Sequence, residues 1–307
     1  MACCPGDHAA AMASFTQIPP APAEATSTPA WSSSFHELNV KSDLGDGYWI
    51  EAFPFRTKAH ETEGPVGPEL IGYGLGYVDK KTKQPVPSEV RMYLNPFHEM
   101  KNQIAPPTEW AHTSIATLQN AVACTYGNFR PKSNLNDLVI CHNYGASMDD
   151  LNMNGGDVTL FVNPGDREQG NWVQKHIGKF PAMHRLKTGY FTQKKHVEIM
   201  ALPIMIKSGD RESPAPVIIY KPTEWDSEGV PSKWDDIRPL NDTFRLIHEV
   251  QIIHSTTGGL DKAMVAGREG ISLMWMDEKT NQWKHENVVL AILRLARCVS
   301  SLPLHNH

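Results

Sequence analysis

Short runs in which apolar and polar residues alternate recur along the chain, and this period of two predicts β-strands. Four runs resemble one another and each carries an aromatic residue: EVRMYLNP (89–96), DVTLFVNP (157–164), APVIIYKP (215–222) and GISLMWMD (270–277). Each is followed by a tryptophan that opens another short segment, at Trp110, Trp172, Trp234 and Trp283. This regular spacing indicates an internal structural repeat.

Each repeat is predicted to contain four strands. Two further strand candidates follow three of these tryptophans, and the first unit opens with GYWIEAFPF (47–55) and LIGYGLGYV (70–78). Units of this size cannot bury both faces alone, and they stack as the blades of a β-propeller. The predicted fold class is therefore all-β, a propeller with about four blades at residues 35–115, 116–178, 179–240 and 241–288. A pair of antiparallel sandwiches is the alternative.

The two ends of the chain differ from the repeats. Residues 1–34 are rich in Ala, Pro, Ser and Thr and predict a disordered leader, whereas residues 289–307 predict an atypical tail. The segment VVLAILRLARCV, from residue 288, has the pattern of a short apolar helix. No run is long enough to cross a membrane as a helix, and the first residues lack the order of a signal peptide, so we expect a cytoplasmic location.

Composition narrows the classes of partner. The 307 residues are 40% hydrophobic and 21% charged, enough for a large core, and the net charge of −5 comes without a basic cluster. We therefore expect neither nucleic acid nor a membrane as a partner, but a small molecule, with a homodimer as an open alternative. The five cysteines lack CxxC spacing, which favours free buried thiols over disulfides or a zinc ribbon.

Two predicted strands begin with ionisable pairs. His184 and Arg185 lie in PAMHRLKTGYF (181–191), and His248 and Glu249 occupy the corresponding places in RLIHEVQII (245–253). Burying such groups without compensation costs several kcal/mol. The first strand of a blade lines the central channel, where water reaches them. Neighbours in a strand point to opposite faces, so only one residue of each pair should face the channel unless a bulge intervenes.

Several longer stretches resemble the fungal aldos-2-ulose dehydratase family, whose members also dehydrate 1,5-anhydro-D-fructose. The stretches are DGYWIEAFPFR (46–56), IGYGLGY (71–77), YGASMDD (144–150), MHRLKTGYFT (183–192), LIHEV (246–250) and AGREG (266–270). The resemblance runs from residue 44 to 285 and covers the amino-terminal propeller, about four of the family's seven blades. It implies a lyase that removes water from a 2-keto sugar. The family's propeller histidines match His184 and His248, whereas Thr125 stands where a further histidine is expected.

The resemblance also suggests roles. We expect His184 to be the base that removes a carbon-bound proton, and His248 to be the acid or the base of a second, isomerising step. The side chains expected to bind the sugar are Arg185, Glu249, Trp49 and Tyr144. The alternative is that these residues are structural, with the histidines satisfied by backbone groups and Trp49 part of a blade core.

Other motifs carry weaker signals. Asp149 and Asp150, in SMDDLNMNGGD, offer oxygen ligands for Mg²⁺ or Ca²⁺ but lack the spacing of a calcium loop, so a solvated turn is the alternative. Apart from a divalent metal, Mg²⁺ or Zn²⁺, no cofactor is expected. Cys124 and Cys141 are expected to be buried and unreactive. The competing functions are a non-catalytic propeller that binds proteins or sugars, and an inactive truncated fragment of such an enzyme.

Overall fold

The computed structural model describes residues 40–41, 46–55, 68–98, 109–168 and 170–290, with side chains as far as 288. The predicted leader and residues 291–307 of the predicted tail lie outside these ranges.

Four four-stranded antiparallel sheets follow one another along the chain, which confirms the predicted all-β class with four-stranded units. Sheet 1 consists of β1 (Trp49–Phe53), β2 (Glu69–Tyr73), β5 (Ser88–Tyr93) and β6 (His112–Leu118). Sheet 2 consists of β7 (Ala123–Gly127), β8 (Asp137–His142), β11 (Asp157–Val162) and β12 (Val173–Lys179). Sheet 3 consists of β13 (Met183–Gly189), β14 (Glu198–Pro203), β15 (Ala215–Trp225) and β16 (Pro231–Phe244). Sheet 4 consists of β17 (Glu249–Ile253), β18 (Lys262–Gly267), β19 (Gly270–Asp277) and β20 (Gln282–Leu290).

Two small hairpins lie between the second and third strands of sheets 1 and 2. They are formed by β3 (Tyr77–Val78) with β4 (Pro85–Val86), and by β9 (Gly145–Ser147) with β10 (Asp150–Leu151). A single 3₁₀ turn at Pro96–His98 is the helical structure found in the described ranges.

The helix predicted from residue 288 is wrong as far as Leu290. Strand β20 continues to that residue, with Val289 opposite Ile271 and Leu290 opposite Gly270. The β-branched residues Val288 and Val289 suit a strand that has a partner, and the pairing with β19 outweighs the helical period of the apolar residues.

Each interior sheet is buried on both faces because successive side chains of a strand point in opposite directions. In β8, Leu138 and Ile140 pack against residues of sheet 1, whereas Val139 and Cys141 pack against residues of sheet 3. A third cluster joins sheets 3 and 4, where β14 contributes Met200. The sheets therefore stack face to face in chain order, as the blades of a propeller do.

The first strand of every sheet forms its inner edge. β1 contacts β7, β7 contacts β13, and β13 contacts β17, while β12 and β16 meet near the opposite edge. Stacking by both faces thus brings the inner strands side by side. Their amino-terminal ends lie at one end of the stack, which we call the mouth.

The inner strand of sheet 3 begins with a β-bulge. Met183 lies opposite Pro203 and Arg185 opposite Leu202, so that His184 is an extra residue without its own partner. A bulge bends the strand and redirects the side chains beside it. A bulge was the condition under which His184 and Arg185 could both face the same region, and the structure contains it.

The same irregularity occurs in the other three inner strands, where two successive residues share one partner. The upstream residue donates its backbone N–H to the carbonyl of the residue that faces its neighbour. The pairs are Tyr48 and Trp49 opposite Tyr73, Val122 and Ala123 opposite Cys141, and His248 and Glu249 opposite Ala266. We call the four upstream residues, Tyr48, Val122, His184 and His248, the inner tier.

Three of the four bulges share a second backbone feature. Asn120, Ala182 and Leu246 have φ of 45°, 57° and 46°, and each lies two residues before a member of the inner tier. This left-handed conformation is uncommon for residues other than glycine. Its recurrence shows that the backbone turn into the inner strand is part of the repeat.

The opposite end of the stack holds a buried carboxylate at the start of each second strand. They are Glu69, Asp137, Glu198 and Asp261, the last directly before β18. Each accepts backbone N–H groups from a neighbouring loop, for example from Asn163 to Asp137 at 2.9 Å and from Tyr190 to Asp261 at 2.9 Å. These carboxylates fix the loops at the end away from the mouth, since buried N–H groups require partners.

Replacing Phe161 by alanine tests the packing between sheets 1 and 2. The ring is fully buried in the cluster that joins these sheets. We expect a loss of about 3–5 kcal/mol in the free energy of unfolding, because large-to-small changes leave a cavity. The exposed Val173→Ala in β12 is the control and should change stability by less than about 0.5 kcal/mol in urea unfolding. A loss below about 1 kcal/mol for Phe161→Ala would contradict the two-sided burial.

Candidate functional site at the mouth

His184 and His248, from adjacent sheets, meet at the mouth. Their ring centroids are 5.3 Å apart and the planes cross at 63°, an edge-to-face arrangement. The His184 side chain is buried, with 4% of the residue exposed, whereas His248 is exposed. The two imidazoles thus form one site, in which His184 is buried and His248 is exposed to solvent.

Arg185 contacts two of the other residues expected to bind the sugar, Glu249 and Trp49. Its Nε lies 3.3 Å from Glu249 Oε2, and its guanidinium carbon lies 5.2 Å from the centroid of the Trp49 ring. Nη1 donates to the backbone oxygen of His184 at 3.1 Å. The charge of Arg185 is therefore matched by a carboxylate and an aromatic face. Nη2 makes no hydrogen bond to any residue in the described ranges, so it can serve a ligand.

Three polar atoms around the imidazoles are buried and lack a hydrogen-bond partner among the described residues. They are Trp49 Nε1, Tyr144 Oη and His184 Nδ1. The Tyr144 ring centroid is 6.0 Å from that of His184, and Trp49 packs under Arg185. An unsatisfied buried polar atom costs about 1–3 kcal/mol, and an ordered water or a ligand is the usual explanation. Atoms of the same kind also lie elsewhere, for example Trp172 Nε1 and Tyr220 Oη, so the paired imidazoles, and not these atoms, distinguish the mouth.

Burial determines the protonation states of the inner residues. Desolvation, followed by the nearby charges of Arg185 and His248, lowers the pKa of His184 to about 3. Burial also raises the pKa of Tyr144 to about 12. At neutral pH His184 is therefore a neutral imidazole and Tyr144 a neutral phenol.

The metal prediction at Asp149 and Asp150 gains no support. Arg211 Nη2 donates to both carboxylate oxygens of Asp149 at 2.9 Å, and both aspartates are exposed at the β9–β10 hairpin. Within the part of the chain that the structure describes, no three His, Cys, Asp or Glu side chains are grouped to hold a metal. The solvated hairpin is the alternative that these contacts favour.

Residues of sheet 2 resolve two further expectations. By register, the counterpart of His184 in β7 is Val122, whereas Thr125 lies three residues further along the strand. Cys124 and Cys141 are free and buried, and burial raises the pKa of Cys141 to about 12. Such thiols carry little thiolate at neutral pH, as expected for structural cysteines.

Sequence reasoning missed Tyr48, the member of the inner tier in sheet 1. It occupies the place of His184 and His248 in the repeat, and 44% of it is exposed. The signal was present in the alignment of the first strands, because Tyr48 precedes β1 as His248 precedes β17.

Comparison with known proteins agrees with the resemblance. A family model described as the aldos-2-ulose dehydratase β-propeller domain matches residues 155–294. The aldos-2-ulose dehydratase of Phanerodontia chrysosporium is 37% identical over 253 residues. Residues 155–294 match the β-propeller domain of the aldos-2-ulose dehydratase family, and the chain is similar to that family over 253 residues. The aligned region is 81% of this chain and 26% of that dehydratase, so the chain spans about a quarter of its relative. The similarity covers the β-propeller, and the activity of the whole relative does not follow from it.

A search of the described residues for a helix long and apolar enough to cross a membrane finds none.

The lowered pKa of His184 predicts a specific pH dependence of stability. In an unfolded chain, histidine has a pKa of about 6.5. Between pH 6.5 and 3, His184 is therefore mostly protonated in the unfolded chain and mostly neutral in the folded chain. The stability that comes from neutral His184 is thus complete above the unfolded pKa and decreases as the pH falls, by up to about 1.4 kcal/mol per pH unit.

Urea unfolding of wild type and of His184→Gln at pH 7 and at pH 4.5 measures this difference. The variant should lose less stability on acidification than wild type, whatever its loss at pH 7, and the exposed His176→Gln should behave like wild type. Parallel pH dependences for wild type and His184→Gln would show that His184 is not buried as a neutral group.

Proposed function

We propose that this chain takes part in the elimination of water from a 2-keto sugar, such as 1,5-anhydro-D-fructose or an aldos-2-ulose. The observation that carries the proposal is the pair of imidazoles 5.3 Å apart, with the Arg185–Glu249 ion pair beside them. The related protein is a dehydratase, which suggests elimination of water as the reaction class. The side chains of the site suit that reaction.

The reaction sets three requirements. A base removes the proton on the carbon next to the ketone, and a hydrogen-bond donor stabilises the negative charge that develops on the ketone oxygen. The carbon–oxygen bond at the following carbon then breaks, a carbon–carbon double bond forms, and the departing hydroxide takes up a proton to give water.

The environments of the two histidines lead us to exchange the roles expected from the sequence. With a pKa lowered to about 3, His184 is a weak proton acceptor in the free protein. Its Nδ1 has no donor or acceptor nearby in the described chain, so the proton is best placed on Nε2. His184 then donates a hydrogen bond to the ketone oxygen as a neutral imidazole. His248 is exposed, so a substrate can reach it, and we assign it the role of the base.

The remaining side chains suit a neutral polyol. Arg185 Nη2 and the Glu249 carboxylate, whose side chain is half exposed, can bind sugar hydroxyls. The partly buried Trp49 can contribute aromatic surface, whereas Tyr144 is buried beside His184. Because Arg185 and Glu249 are paired and His184 is neutral, the site does not require an anionic substrate.

A direct assay tests the proposal. Purified protein is incubated with 1,5-anhydro-D-fructose or a glucosone, with and without Mg²⁺ or Zn²⁺, and the ultraviolet absorbance of the conjugated enone is followed. We expect turnover that His184→Ala/His248→Ala abolishes and that His176→Ala leaves unchanged. Folded protein that binds the sugar without producing the enone would favour the non-catalytic binding propeller instead.

Two glutamine variants separate the histidine roles. Glutamine can donate a hydrogen bond but cannot serve as a base, so His248→Gln should lower kcat by about 10²–10⁴-fold. His184→Gln keeps an N–H donor and should lower kcat less. Steady-state kinetics with His176→Gln as the control measure both values. The reverse order would restore His184 as the base.

A further inference from the structure

The inner tier contains a polar residue whose function the resemblance does not assign. Its four members occupy the same place in four bulges, and two of them are the imidazoles of the proposed site. Val122 is buried, whereas Tyr48 is 44% exposed and presents a phenol at the mouth. The backbone arrangement that positions the His184 and His248 side chains therefore also positions the side chain of Tyr48.

Contacts connect Tyr48 to the site on two sides. Its ring centroid is 6.4 Å from that of Trp49, which in turn packs against Arg185. On the other side, burial and then the nearby Tyr48 raise the pKa of Tyr144, whose ring lies 6.0 Å from that of His184. The phenol therefore belongs to the same group of side chains as the imidazoles.

The backbone around Tyr48 is held in place. The Tyr48 N–H donates to Tyr73 O at 2.9 Å. Two residues earlier, the Asp46 carboxylate accepts the N–H groups of Leu75 and Gly76 at 3.2 and 2.6 Å. Gly76 has φ of 77°, a conformation that suits glycine at this turn. These bonds tie the segment before β1 to sheet 1 and limit the positions that the phenol can take.

We propose that Tyr48 contacts the sugar, with its hydroxyl donating a hydrogen bond to a sugar oxygen on the side of the mouth away from His248. This inference rests on the proposed function. An exposed tyrosine with an aromatic neighbour can offer a ring face to sugar C–H groups and a hydroxyl donor to a sugar oxygen. The tier then holds the substrate between a phenol and two imidazoles.

The test is Tyr48→Phe, which removes one oxygen and keeps the ring. We expect KM to rise by about 3–10-fold with kcat within about two-fold of wild type, because a lost ground-state hydrogen bond weakens binding throughout the reaction. Tyr190→Phe is the matched control: Tyr190 is also exposed but follows β13 at the end away from the mouth.

A binding measurement gives a second readout that does not require turnover. The dissociation constant of 1,5-anhydroglucitol, which lacks the ketone, is measured by tryptophan fluorescence for wild type and both variants. We expect Tyr48→Phe to weaken binding by the same 3–10-fold factor, about the value of one hydrogen bond. Values of KM and Kd equal to those of wild type would overturn the role of Tyr48 and leave the proposed function intact. A wild-type protein that neither binds nor converts the sugars would overturn both.

Discussion

The two-sided burial of the sheets is the constraint on which the site depends. A sheet with both faces covered can place polar groups only at its edges and ends, and stacking brings the inner edges of neighbouring sheets together. The inner strands β7, β13 and β17 accordingly lie side by side, and His184 and His248, at the amino-terminal ends of the last two, meet at the mouth. The position of the functional side chains therefore follows from the packing of apolar residues far from them.

The bulge at the start of each inner strand explains how a strand can carry two ionisable residues in succession. In a regular strand one of His184 and Arg185 would enter the apolar layer between sheets, at a cost of several kcal/mol. The extra residue changes the alternation, so Met183 and Leu186 both pack toward sheet 2 while Arg185 reaches Glu249 of sheet 4. His184 can be buried because it stays neutral. Arg185 can be buried because its charge is matched by Glu249 and by the Trp49 ring.

Much of the architecture could be predicted from the sequence, because the strand period and the recurring tryptophans depend on local patterns. The pairing of His184 with His248 also followed, since the inner strand is the first of each unit. The bulges could not be predicted, because they are visible in the hydrogen-bond register and not in residue type. The four buried carboxylates escaped notice because their residue types differ between sheets, whereas Tyr48 was overlooked although it precedes β1 as His248 precedes β17. The end of β20 was misjudged because apolar residues from 288 onward fit a helix and a paired strand equally well.

The central claim is that His184 and His248 act on one bound sugar. Histidine-labelled protein, with signals assigned through single His→Gln variants, can be titrated with 1,5-anhydroglucitol and followed by nitrogen NMR of the imidazoles. The account predicts that both imidazole signals shift with one common dissociation constant while that of His176 stays in place. Saturable binding that shifts neither signal, or shifts them with separate dissociation constants, would contradict it.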